Sequence, residues 1–212
     1  MTKQQKAYFE ELVELSEKDD TFKQRTVQSL NWFRNKVRQV FGSKDIPPDT
    51  FFDKRNYPNA PIPGNIVTFK YFPRTINTIP YYDMFPLVLV LKLAPGGFIG
   101  LNFHYLHPMD RAHLMGKLQK YMKVYADGTI RINIRYDVLK RSVQLVHHKP
   151  CIRRYYKAGI KTMFYTLMPN EWDIALFLPT EKFIQTRKQR IWEQSRTKIE
   201  QLKNKFSHGK SK

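Results

Sequence analysis

Five of the six histidines and the single cysteine fall in two short stretches, and these are the residues best suited to chemistry. His104 and His107 close the run "FIGLNFHYLHP", with His113 soon after, and His147-His148 stand just before Cys151. A zinc centre needs three or four such side chains to converge tetrahedrally. Residues three apart on a strand point to opposite faces, so His104 and His107 converge only where the strand ends between them. No carboxylate stands at a regular ligand spacing beside them. The reading these residues support is a strand end in which Asn102, His104 and Tyr105 hydrogen-bond the loop backbone, with no metal and no cofactor.

Other catalytic arrangements are equally poorly supplied. A magnesium-dependent nuclease needs two or three clustered acids. Between Ile46 and Asn170 stand Asp49, Asp53, Asp83, Asp110, Asp127 and Asp137, widely spaced and without a glutamate. Asp83 is the residue on which such an activity would depend. "HHKPCIRRY" places Cys151 beside cations that would lower a thiol pKa, yet a cysteine after proline in an aromatic segment is the usual pattern of a core residue. A glycine-rich, lysine-bearing phosphate loop is absent. The chain reads as a binding protein, not an enzyme.

Charge says what it would bind. Formal net charge is +19, and residues 46–170 carry +12 of it, so the excess belongs to the middle of the chain and not to a basic tail. From Val138 to Asn170 there are seven Lys/Arg and no acid. Such a surface attracts polyanions and loses that attraction in salt. "HHKPCIRRYYKAGIK" interleaves Lys149, Arg153, Arg154, Lys157 and Lys161 with Tyr155 and Tyr156. Cations of this kind neutralise phosphates and exposed aromatics stack on unpaired bases, whereas buried tyrosines would leave only a solvated basic face. Lys117, Lys120, Arg131 and Arg135 join the candidate nucleic-acid-binding set from neighbouring elements. No base-reading motif is present, so contact would be to backbone and shape.

These residues need elements to carry them. "AYFEELVELSEKDD…" to Gly42 reads as two helices in an N-terminal arm, residues 1–45, followed by a Pro-rich loop. In the core, residues 46–180, "NIVTFKYF" alternates as a strand, and "FPLVLVLKL" is a continuous apolar run buried on both faces. The latter pairs through Pro95-Gly96-Gly97 with "FIGLNFHYL", in which Gly100 marks a bend or close backbone approach. Pro108 opens a helix reaching Gly128, with Leu114, Leu118, Tyr121 and Met122 inward and Arg111, Lys117, Lys120 and Lys123 outward. "TIRINIRYD" and "IKTMFYTLM" read as strands, and "NEWDIALFLP" as a short helix capped by Asn170. Residues 181–212 belong to a basic helix of roughly 40 Å that starts at Thr180 and ends in a frayed tail. The class is α+β: a small antiparallel β-barrel of SH3-like kind, flanked by the arm and the long helix.

With 42% apolar and 14% aromatic residues the chain is globular. Its longest apolar stretch, Phe85 to Leu91, is the length of a strand and too short for a membrane span, and the start lacks the apolar block of a secretory signal. One cysteine rules out an internal disulfide. No small-molecule ligand is expected.

Three stretches carry a resemblance: Tyr81-Tyr82-Asp83-x-Phe85-Pro86, Gly100-Leu101-Asn102-x-His104-Tyr105-Leu106, and Glu171-Trp172 with Leu178-Pro179-x-Glu181. Together they resemble virion proteins of T4-type contractile-tailed bacteriophages, of the DNA-end protector kind, over roughly Pro63 to Ile191. The resemblance implies a protein made in the host cytoplasm that binds the end of packaged double-stranded DNA, shields it from exonuclease and stays in the virion. It supplies no catalytic residue. The alternative is a neck, tail or baseplate component that binds other virion proteins through its terminal arms.

Overall fold

Alternation along Leu87–Ala94 (β3) decides where the core lies. Leu87, Leu89 and Leu91 face one side of the sheet while Val88 and Val90 face the other, and all five are buried. The computed structural model describes residues 60–134, 136–141, 145–169, 172–177 and 180–208. The N-terminal arm 1–45 and most of the Pro-rich loop lie outside them, as do Arg135 and Asn170.

β3 is the middle strand of a five-stranded antiparallel sheet. In chain order its members are β1 (Ile66–Thr68), β3, β4 (Gly97–Asn102), β7 (Ile152–Tyr156) and β8 (Tyr165–Thr166), and across the sheet they run β7-β4-β3-β1-β8. Two short antiparallel pairs flank it: β2 (Tyr82–Asp83) with β9 (Phe183–Ile184), and β5 (Met122–Val124) with β6 (Ile130–Ile132). The β3–β4 hairpin is the one expected from Pro95-Gly96-Gly97, and Gly96 takes the positive φ of 70° that its turn requires. Register passes from Val90↔Gly100 to Lys92↔Ile99, leaving Leu91 as a bulge. At Gly100 a Cβ would stand 2.1 Å from Val88 Cγ1, so the close approach expected there is present.

Among the described residues the sheet does not close into a barrel; β7 and β8 are its edges. It does curl. Beyond β1, the Phe72 N–H donates to Gly159 O and the Lys161 N–H to Lys70 O, around a bridge between Tyr71 and Ile160. These bonds tie the chain after β7 back to the chain after β1.

Each face of the sheet has its own core. On one side Leu87, Leu89, Leu91 and Leu101 pack against α1 (Pro108–Gln119), α3 (Trp172–Phe177) and α4 (Lys188–His208) through Leu114, Met115, Trp172, Ile191 and Ile199. On the other, Phe69 meets Tyr71, Phe98, Tyr155 and Phe164 edge-on at 5.1–6.2 Å between centroids. Each such pair adds about 0.5–1.5 kcal/mol beyond area burial.

Several elements end where tertiary partners intervene. The helix opened by Pro108 stops at Gln119, because Met122–Val124 pairs with Ile130–Ile132 as a hairpin whose turn uses Gly128 at φ 75°. "TIRINIRYD" is a strand only to Ile132, and Tyr136–Arg141 is helix α2. The C-terminal helix begins at Lys188, not Thr180: Phe183 and Ile184 are held in strand pairing by Asp83 and Tyr82, and Gln185 takes φ 70°. α4 is thus 21 residues, about 31 Å long. Arg111, expected on the outer face of α1, is 0% exposed. No helix among the described residues is long and apolar enough to cross a membrane.

Candidate nucleic-acid interface

Two polar constructions stand out, one inside the protein and one on its edge. The inner one is built on Asp83, 3% exposed. Its Oδ2 accepts from Asn102 Nδ2 at 3.1 Å and faces His104 Nδ1 at 2.8 Å; its Oδ1 accepts from the backbone N–H groups of Phe85 at 3.2 Å and Lys182 at 3.3 Å. A carboxylate only accepts, so His104 Nδ1 is the donor in that pair, and its Nε2 stands 3.3 Å from Thr180 Oγ1. Four donors occupy the roughly four lone-pair positions of the Asp83 carboxylate. None is left for a metal ion.

This cluster clasps the C-terminal part of the chain to the sheet. Asn102 Oδ1 accepts the His104 N–H at 2.9 Å, which is the strand-end role expected of it. The Met84 N–H donates to Lys182 O at 2.8 Å, and Trp192 Nε1 of α4 donates to His104 O at 3.0 Å. Beside it Arg111 lies 3.5 Å from Glu181, which also takes Lys188 at 3.1 Å. Burial pushes the Glu181 pKa up, but Arg111, His104 and Lys188 outweigh it and hold the carboxyl below its ordinary value. Burial also lowers the pKa of Arg111, against the pull of Glu181 and Asp83.

Sequence reasoning found His104 and Asn102 but not their acid partner. The signals were in "YYDMFP", "GLNFHYL" and "TEK", three separate stretches that only the fold brings together. His107 works locally, accepting the Met109 N–H at 3.3 Å as the N-cap of α1. His147 and His148 lie with ring centroids 4.5 Å apart and planes tilted by 42° in the interior, and burial, helped by His147, Lys117 and Lys203, pushes His148 down to about 3. Cys151 is buried, as a core residue is, and desolvation pushes its thiol up to about 12, outweighing the lowering by Arg153. Among the described residues no three His, Cys, Asp or Glu side chains form a candidate metal cluster.

The outer construction is β7, an edge strand, with the 3-10 turn Lys157–Gly159 that follows it. Alternation sends Arg154 and Tyr156 to solvent; Tyr156 is 50% exposed. The Arg154 guanidinium lies 4.9 Å over the Tyr156 ring and donates to Pro95 O at 2.9 Å. Arg153 is half-buried, 4.0 Å over the Tyr105 ring, and donates to Pro150 O and Ile152 O at 2.7 and 2.9 Å. Lys157 and Lys161 are exposed, the latter donating to Ala158 O at 3.2 Å. Lys149 is exposed in the 3-10 turn Val146–Cys151 that leads into β7.

Tyr155 does not belong to this surface. It is 4% exposed, stacks on Phe98 at 5.2 Å, and its hydroxyl accepts from Asn102 Nδ2 at 3.1 Å. Strand alternation, which exposes Tyr156, is what buries its neighbour. The remaining candidates sit elsewhere. Lys117 is half-buried on α1, its pKa lowered by burial and by Lys203 and Lys120. Lys120 lies 5.4 Å over the Tyr121 ring. Arg131, on the β5–β6 hairpin, is paired with Asp127.

Between β7 and residues 71–83 runs a groove of about 720 Å³. Tyr81, Tyr105, Tyr156, Arg74, Arg153 and Arg154 are among its lining residues, and Asp83 also contributes to its wall. Arg74 has no distinguishing local sequence, and Tyr81 stands in the stretch Tyr81-Tyr82-Asp83 without any local sign that its ring lines a groove.

The sequence matches the family model described as Phage T4 terminal DNA protecting protein over residues 2–198. No curated protein and no solved structure matches the chain.

Proposed function

This chain belongs to the phage T4 terminal DNA protecting protein family, and we propose from that premise that it binds the ends of packaged double-stranded phage DNA, shields them from exonuclease and does so without catalysis, as a virion protein made in the host cytoplasm. The observation that supports this reading is the basic edge of the sheet. Arg154, Lys157 and Lys161 are exposed along one edge strand and the turn after it, and Arg154 and Lys161 bond to backbone carbonyls, not to carboxylates. Cations held in this way can exchange solvent for phosphate oxygens with little structural cost. Lys117 and Lys120, close enough to Lys203 for its charge to lower the Lys117 pKa, form a second basic group on a different element.

The clasp at Asp83 supports a structural role for this carboxylate, because its oxygens are taken by four donors that tie β2 to the C-terminal part of the chain. The curled sheet, with a 3-10 turn after β7 and a bridge back to Tyr71, supports reading the core as SH3-like. Residues 1–45 are then the arm that meets other virion proteins of the neck, tail or baseplate, and the core 46–180 with the helix-bearing segment 181–212 forms the DNA-binding part.

The test is binding to a linear duplex and to the same sequence as a closed circle, at low and moderate salt, with exonuclease digestion of the linear form alongside. Tighter binding to the linear form, salt-sensitive and accompanied by slower digestion, is the expected result. Equal, salt-erased binding to both forms with unprotected ends would overturn the reading and leave a virion protein whose charge meets acidic protein partners.

A further inference from the structure

We propose that the groove between β7 and residues 71–83 seats an unpaired nucleotide at the end of the DNA, its base against the tyrosines and its phosphate on the guanidinium groups; this rests on the DNA-end reading above. The volume, about 720 Å³, falls in the range of roughly 300–1,000 Å³ that small-molecule sites occupy. A duplex is far too wide to enter. Its phosphates alone would need a charged surface, not an aromatic cleft.

The walls suit a base. Within a duplex both faces of every base are covered by neighbours, and an end is where a π-face becomes free. Base–aromatic stacking is worth about 1–3 kcal/mol and is indifferent to sequence. Tyr81 is held against Tyr105 at 6.2 Å and Phe183 at 6.4 Å, so that wall is fixed by packing before any ligand arrives. Tyr105 is itself covered by Arg153 at 4.0 Å. On the open side Tyr156 keeps half its surface in solvent, with Arg154 over its ring. Tyr156 is therefore the ring free to take a base, and Arg154, with the exposed Arg74, is placed to take the adjoining phosphate. Asp83, the acid in the lining, is already engaged by four donors, which mutes its repulsion of a phosphate.

An interior duplex segment offers none of this, so the groove would turn generic phosphate binding into preference for an end. That is a selectivity which the basic edge alone does not supply.

The experiment uses the full chain and duplexes carrying 2-aminopurine either as a one-nucleotide overhang, on the 3′ or the 5′ strand, or at a paired interior position. Quenching of the overhanging probe and not of the interior one is expected. Tyr156→Ala and Arg74→Ala should each weaken binding to the overhang duplex, Tyr156→Ala by roughly tenfold, while binding to the closed circle stays within about twofold. Tyr156→Phe, which keeps the ring, should retain the quenching. Lys123→Ala, a charge removed outside the groove, should not discriminate overhang from circle. Because Tyr156 is exposed, these variants fold, and unchanged circular dichroism checks it. If linear DNA is preferred over the circle but overhang and interior probes respond alike, the groove proposal is wrong and the end-binding reading survives; a groove closed by another part of the chain would give this result. If linear and circular forms bind equally, the reading itself fails and the groove proposal falls with it.

Discussion

At Asp83 four donors converge on one buried carboxylate; at Arg154 an exposed guanidinium on an edge strand bonds a carbonyl and lies over the Tyr156 ring. Both regions are built from residue types that do chemistry, and both touch the same groove. Their difference is saturation. The inner cluster satisfies every partner within the fold and so contributes to stability, joining β2, β4 and β9 and the start of α4. The outer strand and the segment after it leave Arg154, Lys157 and Lys161 only loosely engaged, so these three contribute little to stability while remaining available to a polyanion. Counting charged or histidine-bearing motifs cannot separate these cases.

The largest effect is expected at the inner cluster. Asp83→Ala leaves the His104 ring, the Asn102 amide and two backbone N–H groups without their acceptor, and should lower unfolding stability by about 3–5 kcal/mol in a denaturant titration. DNA affinity per folded molecule should change far less.

The second test concerns the other buried polar pair. His148 is held near 3 in the folded chain and returns to an ordinary value on unfolding, so the unfolded chain binds more protons between those limits. Its contribution is therefore complete above about pH 6.5 and is lost progressively as pH falls toward 3, amounting to roughly 2 kcal/mol by pH 5. Thermal or urea unfolding across pH 7 to 4 should show that decline, and His148→Gln should flatten it.

At the edge the signs reverse. The double variant Lys157→Ala/Lys161→Ala should leave unfolding stability within about 0.5 kcal/mol. It should weaken DNA binding by roughly tenfold and reduce the salt slope by about 2 if each lysine meets one phosphate. An unchanged slope with intact folding would remove this edge from the DNA-binding surface.

The smallest effect is a null. With its thiol near 12 and its side chain buried, Cys151 should not react with a thiol reagent at pH 8 in the folded protein, and should give one equivalent after unfolding in guanidinium. Reaction in the folded state would mean that this region opens.

Some of the core could be read directly because its signals are local. The alternation in "FPLVLVLKL", the Pro-Gly-Gly turn and the glycine at the close strand crossing each act on near neighbours, and β3, β4 and Gly100 are where they were expected. Pro108 likewise opens its helix. Reading failed where a distant strand competed with helix periodicity: Phe183–Ile184 pairs with Tyr82–Asp83 and delays α4 to Lys188. The charge of Arg111 predicts an outward position, yet Glu181 and the carbonyls of Leu106 and Leu176 permit its burial. Of the candidate interface, Arg154, Tyr156, Lys157 and Lys161 were legible as one basic-aromatic run, whereas Tyr155 belonged to the core and the groove's Arg74 and Tyr81 came from a different loop.

What the sequence alone determined is composition and period: a net charge of +19 centred on the middle of the chain, a two-sided apolar strand, its hairpin, and the kind of partner such a charge attracts. Tertiary structure alone decided which polar side chains are spent inside and which remain for a partner. Desolvation and hydrogen-bond saturation depend on groups that meet only after folding, and Asp83, His104 and Thr180 have no shared local pattern that could announce their meeting.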